Sequence, residues 1–442
     1  MQPQAVAGPT DSLVRPPRIQ LGDAPLAGFP GSEHDRITVL WETRDETPGE
    51  HFEAAVRRLG TATWDDVGPV STRSSSTGDR LIHSVDITGL AWASAYEYRI
   101  SRVVDGATVQ TWVHDFTTRL EAGDPHAFAF AAYGDSAWAE SVASFDEVQS
   151  RIGGDEAAFT LLLGDNAYMH GTEDQLDVRF DPGISPSSAA LLAGHVEHAA
   201  FGNHDVHTGH GAPAEDAFAN PIPVRGVTSS VDLPAGERPE HNYSFDYGNA
   251  HFVTFDSNAI ESPSRLDALL DWVVADLAAS DATWKIVFVH HPIGAPDKAD
   301  ELSEHPYYAR RLIRRLADAG VDLLLTGHSH TFSWSYPLSG LRSGEPRFVE
   351  DDDGRYRQGD GVVQVVSGVG GHSVREVTYE APFIAESFTA ITDPEAAVGF
   401  ALVSVSPLEL TVRYVAAADG RVIGAFSIVI PVPAFGHGVM AR

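Results

Sequence analysis

Five short segments of this chain end in side chains that bind metal ions, and they fall in one order: Tyr133-Gly-Asp135, Gly164-Asp-Asn-Ala-Tyr168, Gly202-Asn-His-Asp205, His290-His291-Pro292 and Gly327-His-Ser-His330. Carboxylate, phenolate, amide oxygen and imidazole are the donors that a pair of moderately hard cations needs to clamp a phosphoryl group and activate water. Singly each segment is weak, because Gly-Asp turns are common and a lone histidine is more often structural than a ligand. As an ordered set of five they specify a two-metal site.

Such a site must be positioned by regular elements, and the segments follow runs suited to buried strands. Phe128 to Tyr133 and Phe159 to Leu163 each run into Gly-Asp, Ile286 to Val289 delivers His290, and Asp322 to Leu325 delivers Gly327-His-Ser-His330. Between them Leu266, Leu269, Leu270, Val273, Val274 and Leu277 hold a helical period, with Ser264 as the expected cap. Pro306 opens another helix through Leu312, Ile313 and Leu316. Strands alternating with helices predict an α/β domain whose chemistry lies on loops at the carboxyl edge of a sheet. A hairpin over 242–246 and 251–255, and strands at Val362 to Val366, Ala401 to Val405, Leu410 to Tyr414 and Phe426 to Ile430, predict a second sheet packed on the first. The polar stretches Gly171 to Ser188 and Val206 to Glu240 read as the rim of the site or as disordered insertions.

Residues 1–120 follow a different pattern, with alternating runs at Arg36 to Trp41, Phe52 to Arg58, Leu81 to Ile87, Tyr96 to Val103 and Thr111 to Phe116. Their spacing predicts an all-β sandwich. Trp41 in an early strand, and Leu90 followed by Tyr96, resemble the core tryptophan and tyrosine corner of a fibronectin type III domain. Glu121 to Pro125 reads as the linker, dividing the chain into residues 1–120 and 121–442.

Composition narrows the chemistry. Of 442 residues 43% are hydrophobic, enough for a sizeable core, and no run approaches the ~18 apolar residues of a membrane span. With 62 acidic residues against 30 basic ones the net charge is −32, which repels nucleic acid polymers and anionic membrane surfaces. There is no cysteine, so disulfides, thiolate catalysis and sulfur-ligated metals are excluded. Any metal must sit on oxygen and nitrogen.

From about residue 126 to 430 the chain resembles the calcineurin-like metallophosphoesterases, and among them most the purple acid phosphatases. Most of the superfamily carries Asp-x-His in the first segment, whereas purple acid phosphatases lack that histidine and gain a tyrosine in Gly-Asp-x-x-Tyr. Here Ala137 stands at the first position and Tyr168 at the second. The resemblance implies an α/β fold, a two-sheet α/β/β/α sandwich behind the fibronectin type III-like sandwich. It further implies that Asp135, Tyr168 and His330 hold one metal, Asn203, His290 and His328 another, and that Asp165 bridges them. The implied pair is Fe(III) with a divalent Zn, Mn or Fe(II), hydrolysing small phosphate monoesters by metal-activated water or hydroxide. His204 corresponds to a proton donor to the leaving group, and His305 in Ser303-Glu-His-Pro306 to a second. Asp205 is expected to orient His204 or a ligand, while His195, His198, His207 and His210 match no ligand spacing. Two departures stand out: Ser136-Ala-Trp138 after Asp135, and Thr331-Phe-Ser-Trp334 after His330. A phosphodiesterase, including one for cyclic nucleotides, would use the same ligands, and an inactive binding protein would be expected to have lost some of them. The resemblance implies a secreted or periplasmic location; Met1-Gln-Pro-Gln4 has no basic and apolar leader, and without one the expectation is cytoplasmic.

Overall fold

The computed structural model describes residues 13–431 apart from 24, 27, 30, 45–46, 298–304, 343–344, 352, 379–380 and 389–397. Two four-stranded antiparallel sheets come first. In spatial order, one contains Leu13–Gln20, Asp35–Thr43, Leu81–Leu90 and Ser71–Ser74, and the other Asp65–Asp66, Glu50–Arg58, Ala95–Val104 and Ala107–Thr117. Alternation turns Val39, Trp41, Val85 and Ile87 of the first sheet onto Ala54, Tyr98, Ile100 and Phe116 of the second, making one shared core. The Tyr96 hydroxyl oxygen accepts the Ala91 N–H at 3.0 Å, tying the corner that its spacing from Leu90 predicts. Leu13–Gln20 is absent from the sequence-based expectation because Pro16 and Pro17 interrupt it. It survives as an edge strand whose register shifts between Leu13, Arg15 and Arg18.

Two seven-stranded sheets follow. The first runs Val196–Ala200, Ala157–Leu163, Phe128–Tyr133, Gly399–Val405, Glu409–Ala416, Val422–Val429, Arg355–Arg357; the second runs Tyr243–Tyr247, Ala250–Thr254, Trp284–Val289, Leu323–Thr326, Val363–Ser367, Phe332–Ser335, Ile384–Phe388. Phe130, Phe159, Leu161 and Val403 of one pack with Phe252, Ile286, Phe288 and Val365 of the other. Helices Pro263–Ala279 and Pro306–Asp318 cover the outer face of the second sheet, and Val142–Gly154 that of the first. The expected α/β/β/α layering is therefore present. No helix among the described residues is long and apolar enough to cross a membrane.

Two local expectations are corrected. Ser264 is not the helix cap: the helix begins at Pro263, whose fixed φ and missing N–H suit the first helical position, and Ser262 precedes it. The stretch 171–188 is not a disordered insertion. Thr172 and Gln175 form a reciprocal capping box that starts the helix Glu173–Phe180, and a second helix, Pro186–Leu192, follows. In 206–240 the short helix Ala212–Ala217 forms, with Ala214 and Ala217 buried.

Helix Glu173–Phe180 is one of the places where the N-terminal sandwich meets the larger unit. Asp177 accepts from Arg15 Nε at 2.9 Å and from Arg80 Nη1 and Nη2 at 2.7 and 2.6 Å, while Glu42 takes Arg15 at 2.9 Å and Arg18 at 2.8 Å. Burial, with Arg15 beside it, lowers Arg18 to about 10 although Glu42 opposes this. Pairing brings these charges out of water together; removing one partner would leave the others buried and uncompensated.

A separate buried triad anchors the strand Ala250–Thr254. His251 Nδ1 lies 2.7 Å from Asp246 Oδ1 and its Nε2 lies 2.9 Å from Asp276 Oδ2 on the helix Pro263–Ala279. Burial opposes the imidazolium, but the hydrogen bonds and charges of the two carboxylates outweigh it and push His251 up to about 9. Because the folded value lies above the ordinary ~6.5, the stabilisation is complete below pH ~6.5 and is lost as pH rises through about 9, with a limit on the order of 3 kcal/mol. In urea titrations, the stability gap between wild type and His251→Gln should shrink from pH 6.5 to 9.5. A gap constant over that range would contradict the assignment.

Candidate metal centre

Parallel strands of both sheets deliver the five segments to one edge. Phe128–Tyr133 leads to Asp135, Ala157–Leu163 to Asp165, Val196–Ala200 to Asn203, Trp284–Val289 to His290 and Leu323–Thr326 to His328 and His330. The backbone there is unusual. Asp135, Asp165 and His328 have φ of 59°, 53° and 67°, a left-handed conformation that non-glycine residues adopt at some cost and that clusters at functional sites. Glycines before the ligands are required by space: a Cβ on Gly164 would lie 2.5 Å from the His290 ring, and one on Gly202 would lie 2.2 Å from Asp165 Oδ1.

The expected ligands form two contiguous groups. In the first, the Tyr168 hydroxyl lies 2.9 Å from Asp135 Oδ1, 3.1 Å from Asp165 Oδ2 and 3.4 Å from His330 Nε2, and His330 Nε2 lies 3.2 Å from Asp135 Oδ1. In the second, His290 Nε2 lies 3.1 Å from Asn203 Oδ1, 3.2 Å from His328 Nδ1 and 3.3 Å from Asp165 Oδ1. Bonds of ~2.0–2.2 Å from one cation to neighbouring donors at tetrahedral or octahedral angles require donor separations of roughly 2.8–3.6 Å, so each group fits one ion. Asp165 gives one oxygen to each group.

Hydrogen bonds fix which atom each residue presents. His290 donates Nδ1–H to the Leu163 carbonyl at 2.8 Å, turning Nε2 to the site, and the His328 N–H occupies Asp135 Oδ2 at 2.7 Å, leaving Oδ1 to face Tyr168 and His330. Asp205 accepts from the backbone of Gly202 at 2.8 Å and from Asn166 N and Nδ2 at 2.9 and 3.0 Å. It therefore ties the second ligand loop to the third rather than orienting the His204 ring. Burial and the charge of Asp165 push Asp205 up to about 7. Burial, with Asp135 and Asp165, pushes the Tyr168 phenol well above its ordinary range. Without a cation that phenol keeps its proton.

His204 stands at the open side. Its Nδ1 donates to the Met169 carbonyl at 2.7 Å, and Nε2 faces the first group 3.8 Å from Asp165 Oδ2. His305 is elsewhere in the described contacts: it precedes helix Pro306–Asp318 and its carbonyl accepts from Ala309 N–H, while Ser303 and Glu304 lie outside the described residues. His195 bonds Thr160 at 2.9 Å and His198 stacks on Phe245 at 3.9 Å, both structural positions, whereas exposed His207 pairs with His170. Trp138 packs on His372, its ring centroid at 4.4 Å.

Two further residues at the site have no role assigned from sequence. His291, buried and bonded through Nδ1 to Ser257 Oγ at 2.9 Å, lies with His290 and His328 in a cluster able to hold an ion. His372 lies beside both Tyr168 and His330. It follows strand Val363–Ser367 through Gly368-Val-Gly-Gly371, the same strand, glycine and histidine order that marks the ligand segments.

Residues 119–332 match the calcineurin-like phosphoesterase family. That match takes in all five donor-bearing segments and identifies residues 119–332 as a calcineurin-like phosphoesterase domain. The fold of the chain is similar to that of purple acid phosphatase PPD1 from seeds of yellow lupin, Lupinus luteus, with a TM-score of 0.72 at 18% identity over 94% of this chain and 74% of that one. GAP50, the anchor in the inner membrane complex of Plasmodium, aligns with a TM-score of 0.46 at 17% identity over 69% of this chain and 90% of that one. No curated protein matches.

Because Asp165 serves both groups, Asp165→Ala should lower metal affinity at each position by more than the ~10–100-fold typical of an outer partner and abolish phosphoester hydrolysis. Metal analysis after dialysis checks this. Retention of two ions per chain would show that Asp165 does not bridge.

Proposed function

We propose that this metallophosphoesterase hydrolyses phosphate monoesters at a dinuclear centre of the purple acid phosphatase type. Asp135, Tyr168, Asp165 and His330 would hold Fe(III); Asp165, Asn203, His290 and His328 would hold a divalent Zn, Mn or Fe(II). Tyr168 carries this reading: its hydroxyl is buried within 3.4 Å of the other donors of the first group, and the position where an Asp-x-His enzyme has its extra histidine is the buried Ala137. A phenol flanked by two carboxylates ionises most readily beside a cation of high charge, which favours a trivalent ion in this group and a divalent one among the imidazoles and amide.

Two cations bound here supply Lewis acidity toward the phosphoryl oxygens and water acidic enough to attack near neutral pH. The protein keeps the donors fixed through the Leu163 carbonyl, the His328 N–H and Asp205. His204, anchored through Nδ1, in its protonated form offers Nε2–H to the leaving oxygen. The charge of −32 disfavours polyanions and so favours small phosphate esters as the substrate class. The N-terminal sandwich, joined through Arg15, Arg80 and Asp177, supports the catalytic unit.

Oxidised protein assembled with iron should be violet or pink from phenolate-to-iron charge transfer, and Tyr168→Phe should bleach it. Iron-containing wild type that is colourless would exclude the phenolate bond and leave a manganese, zinc or ferrous phosphoesterase.

His204→Ala should retain its metals and lose ~10²–10⁴-fold in rate on alkyl phosphates, with a smaller loss on aryl phosphates whose leaving groups need no proton. Equal losses would assign His204 a structural role. Faster turnover of bis-aryl than of mono-aryl phosphates in the same panel would favour the phosphodiesterase.

A further inference from the structure

Among the groups around the site, the segment after strand Val363–Ser367 is tied directly to the first group. His372 N–H donates to the Asp135 carbonyl at 3.0 Å and Arg375 N–H to the His330 carbonyl at 2.8 Å, so the segment is fastened to two of the first group's ligands by their backbones. The Ser373 hydroxyl between these points lies 2.6 Å from His330 Nδ1 and 2.8 Å from His372 Nδ1. The His372 ring stacks under Trp138 at 4.4 Å and 18°, touches Tyr168 at 4.0 Å, and has its Nε2 buried with no hydrogen-bond partner among the described residues.

We propose that Ser373 and His372 are positioning residues for the first metal position, a two-step hydrogen-bond relay that holds His330 in the metal-binding tautomer. This rests on the dinuclear site proposed above. The direction of each proton follows from what the neighbouring atom needs. His330 turns Nε2 toward Asp135 and Tyr168, so a metal there leaves the proton on Nδ1, which donates to Ser373 Oγ. The serine, having accepted, gives its own hydrogen to His372 Nδ1, and His372 then carries its proton on Nε2. Trp138 and Tyr168 fix the plane of the His372 ring, so the acceptor at the end of the relay cannot rotate away. A hydroxyl that is both acceptor and donor makes the His330 ring more basic and better oriented than an isolated hydroxyl would.

The tautomers can be read directly by ¹⁵N NMR of the zinc-loaded protein, whether or not it turns over substrate. His372 should be protonated on Nε2 with Nδ1 bare, and His330 on Nδ1. Ser373→Ala should weaken zinc at the position reported by the His330 signal by ~10–100-fold in chelator competition, while Ser373→Thr retains it. His372→Phe keeps the stack on Trp138 and removes the acceptor; it should cost less, up to about tenfold, because Ser373 can still accept from His330. His372 protonated on Nδ1, or a Ser373→Ala protein whose zinc affinity stays within about twofold of wild type, would overturn the relay. Colourless iron-loaded protein with these tautomers and affinities intact would count against the purple acid phosphatase reading alone.

Discussion

The carboxylates of Asp135 and Asp165 each lie within about 3 Å of the Tyr168 phenol, away from solvent. Their ion-pair partners among the described residues are histidines: His330 for Asp135, and His204 and His290 for Asp165. Burying acidic oxygens this closely is costly unless positive charge is placed between them. The left-handed backbone at Asp135, Asp165 and His328 adds to that cost. Bound cations offset both terms, so metal binding and the ordering of this edge are expected to be coupled.

The rest of the molecule acts to keep those oxygens from moving apart. Two sheets packed through Phe130, Phe159, Phe252 and Phe288 hold the strand ends rigidly. Behind the first ligand loop, buried Arg179 donates to Tyr133 Oη at 2.9 Å and Ser136 Oγ at 2.6 Å and pairs with Glu197. Arg179 belongs to the helix whose Asp177 receives Arg15 and Arg80 from the N-terminal sandwich. This one helix thus carries both the ionic contacts to the sandwich and, through Arg179, the hydrogen bonds to the loop that carries Asp135.

The candidate ligands were legible in the sequence because each sits within a few residues of a strand end, where apolar run, glycine and donor follow one another locally. It revealed Trp41 and Tyr96 for a similar reason. Contacts made across the fold left no such trace: Arg15 and Asp177 are 162 positions apart, so helix Glu173–Phe180 read as a polar loop. Pro16 and Pro17 hid the edge strand, since its pairing comes from Asp35–Thr43 and not from its own propensity. His372 carried the local signal of a ligand segment, but its role depends on Ser373, Trp138 and Tyr168 meeting around it.

The most direct test of a bridged pair is anomalous diffraction, at the iron and zinc edges, from crystals of the oxidised protein loaded with both metals. Two peaks should flank Asp165, iron within bonding distance of the Tyr168 oxygen and of His330, zinc within bonding distance of Asn203, His290 and His328. A single peak, or a Tyr168 hydroxyl still hydrogen-bonded to Asp135 with iron bound elsewhere, would contradict the account.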